Sequence, residues 1–127
     1  MEAQFRWLGF CDDVPALLKA VDVYVQPSRY EGHSMALLEA MAAGRACVVS
    51  DIPELAQSVG EAGCVVVGRD AAAWAQALAR LQADPGLRAR LGHAAQSRVQ
   101  SSSIDRSAAS YLALYREVAA ARGSARR

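Results

Sequence analysis

Four short apolar runs separated by helical stretches set the architecture of this chain: FRWLGF near the start, DVYVQ at residues 22–26, ACVVS at 46–50 and CVVVG at 64–68. None of them alternates apolar with polar residues. Strands covered on both faces read as continuous apolar runs, and strands joined through helices pair in parallel. The chain is therefore predicted to be α/β, with a partial Rossmann-like parallel sheet of about four strands. Its 127 residues suit one domain with a real core and are too few for two.

The connecting segments carry their own punctuation. DDVPALLKA supplies an N-cap acid, an early proline and an apolar face, which predicts a short helix from about Val14. The segment after DVYVQ enters a helix near His33 or Ser34 through PSRYEG and stops at Gly44, while IPELAQSVG makes one or two turns after Asp51. Past Gly68 the pattern is helical alone. Asp70 caps a helix with Trp74, Ala77, Leu78 and Leu81 inward, and Asp84 caps a second with Leu87, Leu91, Ala95 and Val99 inward. A last helix repeats Ile104, Ala108, Tyr111, Leu112, Tyr115 and Val118. The expected division is an α/β part over 1–69, a helical part over 70–121 and a frayed tail over 122–127.

Composition excludes several partner classes. A chain 53% hydrophobic and 21% charged, with a net charge of +1, has no basic surplus for nucleic acid and no charged face for a membrane surface. No apolar stretch approaches the roughly 18 residues a spanning helix needs. Cys11, Cys47 and Cys64 are odd in number and widely spaced, and two of them sit in or beside apolar runs. They read as small hydrophobes in a reducing cytoplasm, with no metal cluster.

Within EGHSMALLEA, Glu31 and Glu39 lie eight positions apart, and Glu39 is the only charged residue from Gly32 to Gly44. In a buried helix an unpaired carboxylate would cost several kcal/mol, so Glu39 is expected to meet a partner or a ligand. The protein candidates are Arg45 and Arg29. The ligand candidate follows from position, because a helix that starts at the carboxyl end of a parallel strand offers free amides and a dipole to an anion. Gly32 lets the backbone come close, the amides of His33, Ser34 and Met35 would face a phosphate, and Ser34 would add a hydroxyl or cap the helix. Glu39 would accept the adjacent hydroxyls of a ribose, and Glu31 would lie on the far side, near whatever the phosphates carry. Arg29 could neutralise a phosphate. Trp74, Met35, Met41 and the tyrosines read as core, and His93 as surface.

VPALLKAVDVYVQPSRYEGHSMALLEAMAAGRACVVSDIPE, followed by GEAGCVVV and the helical DAAAWAQALARLQADPGLRARLG, resembles the carboxyl-terminal region of glycosyltransferase family 4 enzymes, retaining enzymes of the GT-B fold. The resemblance covers roughly Phe5 to Val118. It implies that Glu31 lies by the donor sugar, that Glu39 binds the ribose and that the amides of His33, Ser34 and Met35 hold the diphosphate. A nucleotide-diphospho-sugar would then be the donor substrate, with no metal or other cofactor. Two departures matter. The family's donor domain begins with two further strand and helix units carrying a Gly-rich turn and an Arg and Lys pair, and an acceptor domain precedes them. After ACVVSD, a Gly-Gly often found beside the nucleotide is replaced by IPE.

If the family's strand order is 3-2-1-4-5-6, this chain supplies strands 3 to 6 without their central neighbours. DVYVQ then becomes an exposed edge and the last helix shows its Tyr111, Leu112 and Tyr115 stripe. The expected results are a homodimer, a rearranged first strand or completion by a missing amino-terminal domain, and little or no activity from the chain alone. The alternatives to a transferase are a free-standing nucleotide-sugar binding module and an oligomerising remnant without catalysis.

Overall fold

The computed structural model describes residues 4–61, 65–68, 70–100 and 103–124. Three parallel strands, β1 (Val23–Gln26), β2 (Ala46–Ser50) and β3 (Val65–Val67), pair in the order β1-β2-β3. Val23 faces Ala46 across the first ladder, and Val48 faces Val65 across the second. The helices are α1 (Val14–Ala20), α2 (Met35–Ala42), α3 (Pro53–Val59), α4 (Ala71–Ala83), α5 (Pro85–Val99) and α6 (Ile104–Ser124). The α/β class and the helical carboxyl-terminal part are as the sequence implies. No helix among the described residues is long and apolar enough to cross a membrane.

β2 is the spine of the molecule, with all five of its residues buried. Cys47 and Val49 face a layer built from Leu18 of α1, Leu37 and Met41 of α2, Leu55 and Val59 of α3 and Ala95 of α5. Ala46 and Val48 face the other way, onto Ala77 and Leu81 of α4 and Leu87 of α5. A continuous apolar run is thus explained by two covered faces. α5 serves both layers by crossing the sheet at the entrance to β2. It can do so because Gly92 is buried against Gly44, where a Cβ would be driven into the Gly44 carbonyl oxygen.

Helix ends follow the sequence closely. Asp13 accepts from the Ala16 amide at 3.0 Å, and Asp84 from the Leu87 amide at 2.8 Å. Asp70 occupies its cap position without a side-chain bond. α2 ends in a Schellman arrangement, with Gly44 at φ 69° bonding Met41 O at 3.0 Å and Arg45 bonding Ala40 O at 3.1 Å. At the end of α3 the Arg98 guanidinium caps the carbonyls of Gln57 at 2.8 Å and Ser58 at 2.9 Å.

Several expectations are corrected. FRWLGF forms no strand: Phe5, Trp7, Leu8 and Phe10 are exposed, and Phe5 meets only the edge of Trp7 within the run, at a centroid distance of 4.9 Å. Apolar and aromatic composition favours a strand only where a neighbour takes up its backbone groups, and this segment enters no ladder among the described residues. Met35 and Tyr30 are exposed, not core, and Leu78 lies at the edge of its stripe. Met41 is fully buried and Trp74 partly so. Tyr111 and Tyr115 are likewise exposed, not core, and with Leu112 they form the open stripe that an unpartnered last helix leaves. Cys47 is buried, and Cys64 lies outside the described residues.

Candidate functional site

The carboxyl ends of β1 and β2 and the amino end of α2 form one corner of the molecule, where open parallel sheets bind ligands. β1 ends on Gln26, whose side chain is buried because Tyr24 and Gln26 point to the same face of the strand, towards α2. Pro27 and Ser28 then turn the chain into the loop that carries Arg29, Glu31, Gly32 and His33. Ser34 closes the loop as the N-cap of α2, accepting from the Leu37 amide at 3.2 Å.

A hydrogen-bonded cluster holds Glu31. Its Oε1 accepts from Gln26 Nε2 at 2.7 Å and from the Ser28 hydroxyl at 2.8 Å. Gln26 Oε1 in turn accepts from the Tyr24 phenol and from the Ser34 hydroxyl, both at 3.0 Å. Ser34 therefore spends its only proton on Gln26, and its hydroxyl is buried. What Ser34 can still offer a ligand is its main-chain amide. The amides of Met35 and Ala36 begin the helix and have no intrahelical carbonyl behind them.

Glu39 is exposed, and this overturns the premise that it is a buried acid. Leu37, Ala40 and Met41 turn inward while Met35, Ala36 and Glu39 turn outward, so Glu39 is not buried among the apolar residues of its helix. Neither candidate arginine pairs with it. Arg45 bonds the carbonyls of Val21 and Ala43, at 2.9 and 3.0 Å, and Arg29 is exposed in the loop. The Tyr24 phenol is pushed above its usual pKa by burial first, then by Cys47, and then by the negative charges of Glu31 and Glu39.

The remaining expected site residues divide among three openings. Gly32 and His33 border a cleft of about 410 Å³ against Glu54, Gln57 and Arg98. Arg29 and Ser28 border a space of about 700 Å³ on the opposite side, against Ser50, Trp74 and Leu78. Met35 and Glu39 border a third, of about 410 Å³, with Gln96, Val99 and Gln100. Arg29 and His33 have no hydrogen-bond partner among the described residues. Sequence reading missed Tyr24, Gln26 and Ser28. The signal was present, because two polar-tipped residues on one face of a strand, at its carboxyl end, are unusual in a run otherwise made of valine.

The sequence matches the family model described as glycosyl transferases group 1 over residues 1–84. It is similar to a D-inositol 3-phosphate glycosyltransferase of Salinispora arenicola, 39% identical over 114 residues that make up 88% of this chain and 25% of that protein. It is also similar to a lipopolysaccharide core biosynthesis mannosyltransferase of Rhizobium leguminosarum, 36% identical over 112 residues, 86% of this chain and 32% of the relative. Over a shorter stretch of 45 residues, 35% of this chain and 12% of the relative, it is 51% identical to an Escherichia coli UDP-Gal:alpha-D-GlcNAc-diphosphoundecaprenol alpha-1,3-galactosyltransferase. The chain spans about a quarter of the length of the first of these relatives and about a third of the second. With the family matched over two thirds of its length and the corner built as described, the chain belongs to the group 1 glycosyl transferases.

Proposed function

We propose that this chain is the donor-binding portion of a retaining glycosyltransferase, which moves a sugar from a nucleotide-diphospho-sugar to an acceptor hydroxyl. The amides of His33, Ser34 and Met35 hold the diphosphate at the start of α2, where the helix dipole favours negative charge. Glu39, exposed one turn further on, accepts the two ribose hydroxyls. Glu31 lies beside the sugar, and Arg29 is the cation nearest in sequence to the phosphates. The observation that carries this reading is the free amides of Met35 and Ala36 at the start of α2, beside the end of β1, where Gln26 and Ser28 hold Glu31.

In this reaction the acceptor oxygen bonds to the anomeric carbon as the bond from that carbon to the phosphate oxygen breaks. The acceptor proton passes to the departing phosphate, on the same face of the sugar. The chain's share is orientation and charge stabilisation. The acceptor side must come from elsewhere, through an amino-terminal domain or a second copy, so the chain alone is expected to bind without turning over. We place the reaction in the cytoplasm, a compartment that keeps cysteines such as Cys11 and Cys47 reduced.

Calorimetric titration with UDP, GDP, ADP and their hexose conjugates tests the proposal. The expected result is saturable binding that Glu39→Gln weakens about tenfold or more, the worth of a charge-assisted hydrogen bond. A well-folded chain that binds none of these ligands would overturn it.

A further inference from the structure

We propose that Gln26 is a positioning residue for Glu31, and that it sets how the carboxylate meets the donor sugar. The proposal rests on the reading of Glu31 given above and adds a residue to it. Gln26 is buried at the last position of β1, where an amide must have all of its bonds satisfied. An ionised carboxylate can only accept, so the amide nitrogen must face Glu31 and the amide oxygen must face the hydroxyls of Tyr24 and Ser34. Those hydroxyls are then obliged to donate, which is the pattern seen at 3.0 Å in each case. One buried amide therefore joins the charge of Glu31 to the N-cap of α2 through Ser34 and the Leu37 amide.

The geometry is also one-sided. Both bonds to Glu31, from Gln26 at 2.7 Å and Ser28 at 2.8 Å, end on Oε1. Oε2 has no hydrogen bond among the described residues. Pinning one oxygen fixes the plane of the carboxylate and leaves the other to accept from a ligand, so little ordering is left for the moment of binding. Leucine or methionine at this position would leave the buried Ser34 hydroxyl and the half-buried Tyr24 phenol without this acceptor. Glutamate would satisfy the hydroxyls but set a second carboxylate against the first.

The test is calorimetry on the whole chain with UDP, GDP and ADP and with their glucose and mannose conjugates. The proteins are the wild type, Gln26→Met, Gln26→Glu, Glu31→Gln and the double variant Gln26→Met with Glu31→Gln. Each Gln26 variant is expected to weaken the sugar conjugate about tenfold while leaving the matching diphosphate within about twofold, as for one lost bond to a charged group. In the Glu31→Gln background the same Gln26 change is expected to add less than about twofold, because its action runs through Glu31. Gln26→Glu retains acceptors for Tyr24 and Ser34 and so keeps the test open should Gln26→Met fold poorly. Equal loss of conjugate and diphosphate would make Gln26 a structural support for the helix cap and overturn the proposal, as would unchanged conjugate binding. A wild type that binds diphosphates without any gain from the sugar overturns it too. A wild type that binds none of the probes instead removes the donor-site reading itself, and this proposal with it.

Discussion

A single phenol in β1 senses the charge that follows the strand. Tyr24 is half-buried beside β2, and its proton is held more firmly in the folded chain because burial, Cys47, Glu31 and Glu39 all disfavour the phenolate. A raised folded-state value means that the folded form binds this proton more tightly than the unfolded form. The stabilisation is complete below the ordinary phenol value of about 10 and is lost as pH rises through the higher folded value. Denaturant unfolding at pH 8 and pH 11 should therefore show a loss of stability with alkali that is smaller in Tyr24→Phe; equal losses would contradict the assignment. The same residue scale shows why Glu39 misled. An apolar segment with one acid reads as a buried helix, yet alanine is content on either side of a helix. Only the phase of Leu37, Ala40 and Met41 settles that residue 39 points outward.

Elements were legible where local chemistry and burial agreed. The bounds of β2 coincide with the ACVVS run because both of its faces are covered, and the caps at Asp13, Ser34 and Asp84 were readable from residue type and spacing alone. FRWLGF was illegible for the opposite reason, since a strand is defined by a neighbour that the sequence of the segment does not carry. The crossing of α5 over the entrance to β2 belongs to the same class of long-range fact. It depends on Gly92, and nothing in PGLRARLGHAAQSRV marks that glycine as anything but a weak point in a helix. The structure predicts the reverse. Intrinsic propensity alone would make Gly92→Ala stabilising by about 1 kcal/mol, but the new methyl would collide with the backbone of Gly44. Overpacking of this kind costs about 1–3 kcal/mol and outweighs the propensity gain. Urea unfolding should show a net loss of up to about 2 kcal/mol, and a more stable variant would disprove the close crossing.

At the scale of the whole molecule, stability is distributed very unevenly. β2 lies between two apolar layers, whereas the described side chains of α6 from Ile104 to Arg122 are all exposed. The apolar stripe of α6, with Tyr111 and Tyr115 at a centroid distance of 6.3 Å, packs on itself and not on the sheet. A helix without a partner lacks the packed face from which most helix stability in proteins comes. Local opening should follow this gradient, so hydrogen exchange is expected to be fastest in the amides of residues 104–122 and slowest in those of β2. Deleting residues 104–127 should correspondingly change the unfolding free energy of the rest by less than about 1 kcal/mol, since no described side chain of α6 belongs to the core. Protection of α6 comparable to that of β2 would contradict both expectations. It would mean that the stripe is covered in solution, and repeating the exchange at falling protein concentration would then tell a second copy from a contact within the chain.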